Sequence, residues 1–269
     1  MKFSILIAHY NNWNFFQECY HSILSQNFEN YEIIIVDDCS TDYSYEQIVA
    51  LSKVDSKIKL FRNSENKKVG FTKRRCVNEA TGDICVFLDP DDMITSTSLD
   101  EIFEAFNKYP NVIATYSKIK LIDEYSNERG IFKFSKKIKN NQLNFFNINL
   151  EIAHLFSFKR DVYFKTEGID EKLTSAVDQD LYLKLYEKGN FQFINKYQYL
   201  YRLHNKGVSQ NKSKKIELSK NWHTVLYNTC KRRGVVELNG KNIESIEDLP
   251  KFIYQKENTF LKKLIRKFI

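Results

Sequence analysis

The chain has little of what punctuates or staples a fold. Only 3 prolines and 8 glycines occur in 269 residues, and no Pro-rich or Gly/Ser-rich linker divides them, so a second independent domain is not expected. The five cysteines, Cys19, Cys39, Cys76, Cys85 and Cys230, are odd in number and include no CxxC pair, so neither a disulfide framework nor a thiolate zinc site is indicated. A reducing cytoplasm is the expected compartment. No apolar run approaches the roughly 20 residues that span a bilayer, and Met1-Lys2-Phe3 leads straight into a strand-like segment rather than a signal peptide. The turn His9-Tyr10-Asn11-Asn12-Trp13-Asn14 holds no glycine, which disfavours the dinucleotide fingerprint of a dehydrogenase. A basic Gly-rich phosphate loop, needed by a nucleotidyltransferase, is also missing near the N-terminus.

What is present suits one α/β catalytic unit. Hydrophobic residues make up 42% of the chain, enough to bury a substantial core. The excess of 41 Lys+Arg over 34 Asp+Glu gives a net charge of +7, which favours phosphorylated substrates, polyanions or an anionic membrane surface; nucleic acid is not expected as a partner. Strand-like runs at Phe3–Ala8, Glu32–Asp37, Ile58–Phe61 and Ile84–Asp89 alternate with segments of helical spacing, such as Phe15, Phe16, Cys19, Tyr20, Ile23 and Leu24. That alternation predicts a Rossmann-like, mostly parallel sheet flanked by helices. Farther on, Val112–Tyr116 reads as a strand, Asn141–Phe146 as helix-like, and a helix follows Asp178 and stops at Gly189.

Ligands of open parallel sheets sit at the carboxyl ends of the strands, and two strands end in acids. Asp89-Pro90-Asp91-Asp92 packs three carboxylates into four residues, a repulsive arrangement that Mg²⁺ or Mn²⁺ together with substrate phosphates would relieve. A solvated acidic turn capping the next helix is the other reading of the same residues. Asp37-Asp38 forms a second acidic loop on the same sheet edge, suited to accepting hydrogen bonds from a ribose or a base.

Four segments occur in one order and spacing: Ser4–Asn11, Ser25–Phe28, Glu32–Asp42 and Phe87–Asp92. Together they resemble glycosyltransferase family 2. The resemblance implies a GT-A fold, a nucleotide-sugar donor, a divalent metal held through a DxD motif, and inversion at the anomeric centre. It places Asp38 as the base-binding acid and Tyr10 as the aromatic near the base. Asp89 and Asp91 become the DxD acids, with Asp91 the direct metal ligand and Asp89 nearer the ribose. Arg75 stands where the family has the Arg of an Ala-Arg-Asn segment, and Cys76 replaces the Asn. Ala176-Val177-Asp178-Gln179-Asp180-Leu181 resembles the family's Glu-Asp-x-Asp-Leu helix start, which makes Asp178 the general base that takes the acceptor proton; helix N-capping is its alternative role. Tyr201–Ser209 resembles the loop that closes over the donor, with Arg202 and His204 facing the diphosphate. His154, Trp13 and Trp222 are read as packing residues.

The expected organisation is a catalytic domain over residues 1–209 and a helical extension over 210–269. In the extension, Phe260, Leu261, Leu264, Ile265, Phe268 and Ile269 fall on one helical face, with Lys262, Lys263, Arg266 and Lys267 on the other. Such an end either docks on the domain or lies in a membrane interface, which would put the protein at the inner face of the membrane. The expected activity is transfer from a UDP-sugar to a glycan or lipid-linked acceptor in surface-polysaccharide synthesis. The alternative is a non-catalytic nucleotide-sugar or carbohydrate-binding module of the same fold.

Overall fold

A computed structural model describes residues 1–204 and 215–259. The chain begins with β1 (Phe3–His9), α1 (Trp13–Leu24), β2 (Tyr31–Asp37), α2 (Ser44–Val54), β3 (Ile58–Arg62), α3 (Lys68–Glu79) and β4 (Ile84–Phe87). It continues through β5 (Met93–Ile94), α4 (Ser98–Lys108), β6 (Val112–Ile122), β7 (Glu128–Phe132), β8 (Phe156–Lys159), α5 (Arg160–Tyr163), α6 (Val177–Tyr186) and β9 (Asn190–Arg202). After the undescribed stretch come α7 (Lys215–Arg232), a hairpin of β10 (Glu237–Leu238) and β11 (Lys241–Asn242), and α8 (Leu249–Glu257).

The large sheet has the order β3-β2-β1-β4-β8-β6-β9-β5, with β7 added beside β6. Its first four strands are parallel, as the alternation of segments predicts. The second half is mixed: β8 runs antiparallel to both β4 and β6, while β6 and β9 are parallel. Every residue of β2 and nearly every residue of β1 is buried, because helices cover both faces and leave no solvent side for polar alternation. The layer formed by α1 and α4 packs on Ile5, Ile7, Ile33 and Ile35, and the opposite layer, with α3 and α6, packs on Leu6, Ile34, Val36 and Phe87. In α1 the buried residues Phe16, Cys19, Tyr20 and Ile23 recur at i, i+3, i+4 and i+7, the stripe that lets a helix cover a sheet.

Two expectations change. The strand expected at Val112–Tyr116 extends to Ile122, since β9 and β7 pair with its polar second half. The helix expected near Asn141–Phe146 does not form. Asn141 has φ +59° and Asn147 φ +49°, and the Asn140 side chain exchanges hydrogen bonds with the Phe191 backbone at 2.9 and 3.1 Å. Local side-chain pairing of this kind competes with helical bonding.

The C-terminal segment belongs to the same body. Val225, Leu226 and Cys230 of α7 and Leu249 and Ile253 of α8 share a core with Phe156 and Tyr182. The amphipathic stretch Phe260–Ile269 lies outside the described residues. No helix among the described residues is long and apolar enough to cross a membrane.

Glu32 puts a carboxylate inside the parallel sheet. Glu32 on β2 is buried and accepts from Lys2 and Lys59 Nζ, each at 2.7 Å, and from Ser4 Oγ and the Thr81 N–H, each at 2.6 Å. Burial pushes its carboxyl upward, but these four donors outweigh burial and hold it well below the usual range. A depressed folded-state value contributes stability above the unfolded value of about 4.3, and that contribution is lost as pH falls below it. Glu32→Gln is therefore expected to cost about 2–3 kcal/mol at pH 7, and the gap to the parent should narrow below about pH 4. Urea unfolding at pH 7 and pH 3 measures both values.

Candidate active site

The carboxyl ends of β1, β2 and β4 lie on one edge of the sheet, side by side in the order β2-β1-β4. The loop after β1 is stapled to the loop after β2 through Asn11, whose φ is +48°. Its amide donates to Thr41 Oγ1 at 3.0 Å and accepts from the Thr41 N–H at 2.8 Å. Tyr10, just before it, is 43% exposed and free to present its ring at this edge. Asp38 is buried and accepts from Asn63 Nδ2 (2.8 Å) and from the N–H groups of Lys67 (2.7 Å) and Lys68 (2.9 Å) at the start of α3. Its carboxylate thus anchors the N-terminus of α3, where helix N–H groups favour negative charge. Arg75 stands one step back: it donates to the Asn63 side chain at 2.7 Å and to the Arg62 carbonyl at 2.8 Å. It holds the residue that holds Asp38.

The acids are organised by a lysine that sequence reasoning passed over. Lys73, buried on α3, lies 2.9 Å from Asp89 Oδ1 and 2.8 Å from Asp178 Oδ1. Its position depends on close packing of α3 against the loop before α6. A Cβ on Gly70 would stand 2.5 Å from the Leu173 carbonyl oxygen and 2.6 Å from that of Asp170, so only glycine lets the two backbones approach this closely. Burial alone would lower the lysine's affinity for its proton, but Asp178 and Asp89 more than reverse this and keep it charged. Burial likewise pushes Asp89 upward, and Lys73, followed by His154, pulls its carboxyl below the usual range.

His154 faces the same two acids. Its Nε2 lies 3.9 Å from Asp89 Oδ2 and 3.9 Å from Asp178 Oδ2. The ring stacks on Tyr199 at 4.8 Å, and its buried Nδ1 has no hydrogen-bond partner among the described residues. The expectation of a packing residue is corrected here: the apolar neighbours set the ring's plane, while its edge points at carboxylates. The structure therefore joins Asp89, Asp178, Lys73 and His154 in one cluster. Asp178 is 32% exposed, open enough to meet a substrate. Asp180, two residues on, is buried and accepts from Lys184 Nζ and the Asp170 N–H, each at 2.8 Å, which fixes the loop that carries Gly70's contact.

Asp91 points to the other side. Its Oδ2 lies 2.8 Å from His204 Nε2, whose ring packs edge-on to Phe15 and whose buried Nδ1 has no hydrogen-bond partner among the described residues. Asp92 is buried and accepts from Tyr199 Oη at 2.6 Å and from the Arg202 N–H at 2.7 Å. Burial and then the neighbouring Asp91 and Asp89 push its carboxyl well above the usual range despite these donors. Arg202 departs from its expected place at the diphosphate. Its side chain is 1% exposed and donates to the Asp91 carbonyl (2.8 Å), Ser126 Oγ (3.0 Å) and Glu18 (3.0 Å). It ties the end of β9 beneath the acidic loop, because a guanidinium this deeply buried must satisfy its donors with protein acceptors. Of the expected loop, Asn205–Ser209 lies outside the described residues.

The donor set bears on a metal. Among the described residues no group of three or more His, Cys, Asp or Glu side chains converges as ligands. Asp91 and His204 nonetheless form a ready pair, one oxygen and one nitrogen in contact, with Asp91 25% exposed. A Mg²⁺ or Mn²⁺ that takes most of its ligands from substrate phosphates and water needs no more from the protein. The pair fits such an ion; Asp89, committed to Lys73, would contribute only by turning away from it.

The family model described as Glycosyl transferase family 2 matches residues 4–165. Hyaluronan synthase of Pasteurella multocida is 27% identical over 267 residues, covering 97% of this chain and 26% of that protein. Chondroitin synthase of Escherichia coli is 27% identical over 259 residues, covering 94% of this chain and 36% of that protein. The chain thus spans 26% to 36% of the length of these relatives. Among solved structures, S. aureus TarS 1–349 in complex with UDP-GlcNAc superposes with a TM-score of 0.71 at 20% identity, covering 98% of this chain and 78% of that chain. The same protein in complex with UDP gives a TM-score of 0.67 at 23% identity, covering 85% of this chain and 66% of that chain. These structural likenesses are likenesses of fold.

Proposed function

The chain belongs to glycosyl transferase family 2 and has the GT-A fold, and from that premise we propose that it transfers a sugar from a UDP-linked donor to a hydroxyl of a glycan or glycolipid acceptor, inverting the anomeric centre, in the synthesis of a cell-surface polysaccharide. One observation carries the reading. Asp89, from the loop after β4, and Asp178, from the first turn of α6, are gripped by one buried Lys73 at the sheet edge where substrates of such folds bind. Relatives named hyaluronan and chondroitin synthases support a polysaccharide product, and the UDP and UDP-GlcNAc complexes of TarS support uridine as the base.

In this reading the base lies by Tyr10 and Asp38, and Asp89 meets the ribose. Arg75 acts through Asn63 to keep Asp38 in place. Asp91 and His204 would hold Mn²⁺ or Mg²⁺, which when bound supplies positive charge beside the diphosphate. Asp178 takes the proton of the acceptor hydroxyl as that oxygen forms its bond to the anomeric carbon. The bond from that carbon to the diphosphate oxygen breaks, and UDP departs with the electron pair. Lys73 keeps its own proton throughout and fixes the direction of the Asp178 carboxylate.

Thermal unfolding with UDP, GDP or dTDP, each with and without Mn²⁺, tests the donor site. UDP with Mn²⁺ at a hundredfold excess over its dissociation constant should stabilise the protein by about 2.7 kcal/mol, roughly 5–10 °C for a chain of this size. Asp91→Ala should reduce the shift to the level seen without metal. Equal shifts with and without Mn²⁺ would remove the metal from the reading, and no shift with any nucleotide would remove the donor site.

A further inference from the structure

The expected site leaves unused a line of lysines on the same face of the sheet. Strands β4 and β6 both run antiparallel to β8, so they head toward the same edge. Ser117 Oγ accepts from the Leu155 N–H at 3.0 Å, one residue from His154, so β6 beyond Ser117 extends past the level of the acid cluster. Side chains alternate along a strand. Ala114 and Tyr116 lie in the core layer that includes α3 and α6, whereas Ile119 and Leu121 belong to the opposite layer. Lys118 and Lys120 therefore continue the face on which Lys73 and Asp178 stand.

The stretch after β7 lies over this face. Tyr116 Oη donates to the Lys136 carbonyl at 2.7 Å and accepts from the Ile138 N–H at 3.1 Å. From Phe132, paired opposite Ile119, the chain descends to Asn140, bonded to Phe191 at the start of β9. Lys133, Lys136, Lys137 and Lys139 are exposed along it. Lys120 pairs with Glu128, and Lys136 lies 3.9 Å from Glu151, but Lys133, Lys137 and Lys139 have no ion pair among the described residues. Lys118 rests on the Tyr197 ring, 5.3 Å from its centroid. No acid occurs in the sequence between Glu128 and Glu151.

We propose that Lys118, Lys133, Lys137 and Lys139 form a docking track for a polyanionic glycan chain, which on the transferase reading above is the acceptor. The cations are spread along a stretch of chain rather than gathered at one point, so they match a chain of repeated negative charge rather than one small anion. Complementary charge concentrates such a ligand and holds it.

Calorimetric titration of the full chain with a hyaluronan oligosaccharide, with dextran, and with anionic phosphatidylglycerol vesicles tests the track. The parent should bind hyaluronan and not dextran, more weakly as salt rises. Combined Lys118→Ser, Lys133→Ser and Lys137→Ser substitution should weaken hyaluronan binding about tenfold or more. The charge-matched set Lys53→Ser, Lys108→Ser and Lys241→Ser, on exposed lysines elsewhere, should leave it unchanged. Thermal stabilisation by UDP, read on the same samples, reports separately on the donor site and on folding. No hyaluronan binding by the parent, equal losses in both lysine sets, or a loss confined to vesicle binding would each overturn the track.

Discussion

Asp178→Asn is expected to lower transfer by about three orders of magnitude, within the range that a positioned general base contributes, while stabilisation by UDP and metal stays close to the parent's. The amide keeps the size of the carboxylate, and its oxygen can still accept from Lys73, 2.8 Å away in the parent. What it loses is the ability to take a proton from the acceptor hydroxyl. Stability should change little, because Asp178 is about one-third exposed in the first turn of α6, where a carboxylate contributes only about 0.3–1 kcal/mol through the helix dipole. UDP released from UDP-GlcNAc in the presence of a hyaluronan oligosaccharide measures the rate, and the thermal shift measures donor binding. A variant that keeps more than a tenth of the parent's turnover would remove Asp178 from the role of base.

The parts of the site that were legible in the sequence are those carried by strand ends. Apolar runs fix β1, β2 and β4, parallel order fixes the edge, and the acids that follow those runs fall on it; this is why the pattern puts Asp38, Asp89 and Asp91 at that edge, while the roles expected of them came from the family resemblance. Residues brought in from helices and the later mixed sheet were less legible. Lys73 lies in a polar-looking segment, Lys73-Arg74-Arg75, in which nothing local says which cation turns inward. That choice is made by Gly70, whose missing side chain lets α3 press on residues 170–173. A glycine in the first turn of a helix was the signal available. His154 was hidden differently: its neighbours Ala153 and Leu155 are buried, so the pattern reports a core position, and the carboxylates it faces come from distant parts of the chain. Arg202 was expected at the diphosphate because its segment resembles the family's loop that closes over the donor, and a resemblance in sequence does not say whether the side chain lies above or below the acidic loop. Only the depth of β9 in the sheet decides that it lies beneath.

Lys73→Met should expose how far the site depends on its internal cation. The methionine nearly matches the lysine's length and preserves packing beside Phe87, over whose ring the ammonium now sits at 5.2 Å, but it removes the ammonium that bridges Asp89 and Asp178 and leaves the two acids only the His154 ring edge, 3.9 Å from each. Breaking a buried pair from one side typically costs about 3–5 kcal/mol; here both acids are about a quarter to a third exposed, so water recovers part of that, and a loss near 2–3 kcal/mol is expected. Two carboxylates that repel across the vacated position should also rotate apart, carrying Asp178 out of line with the acceptor, and a misplacement of about 1 Å is enough to cost a hundredfold in rate. Lys73→Arg should recover a good part of both losses, since a guanidinium can bridge two carboxylates. The double variant Lys73→Met with Asp178→Asn separates the contributions: removing one of the two facing charges should restore stability relative to Lys73→Met alone, so the two changes will not add. Urea unfolding and turnover of the four proteins in that cycle give the coupling directly. Additive stabilities would mean that Lys73 is held by packing alone and that the bridge between Asp89 and Asp178 does not organise the site.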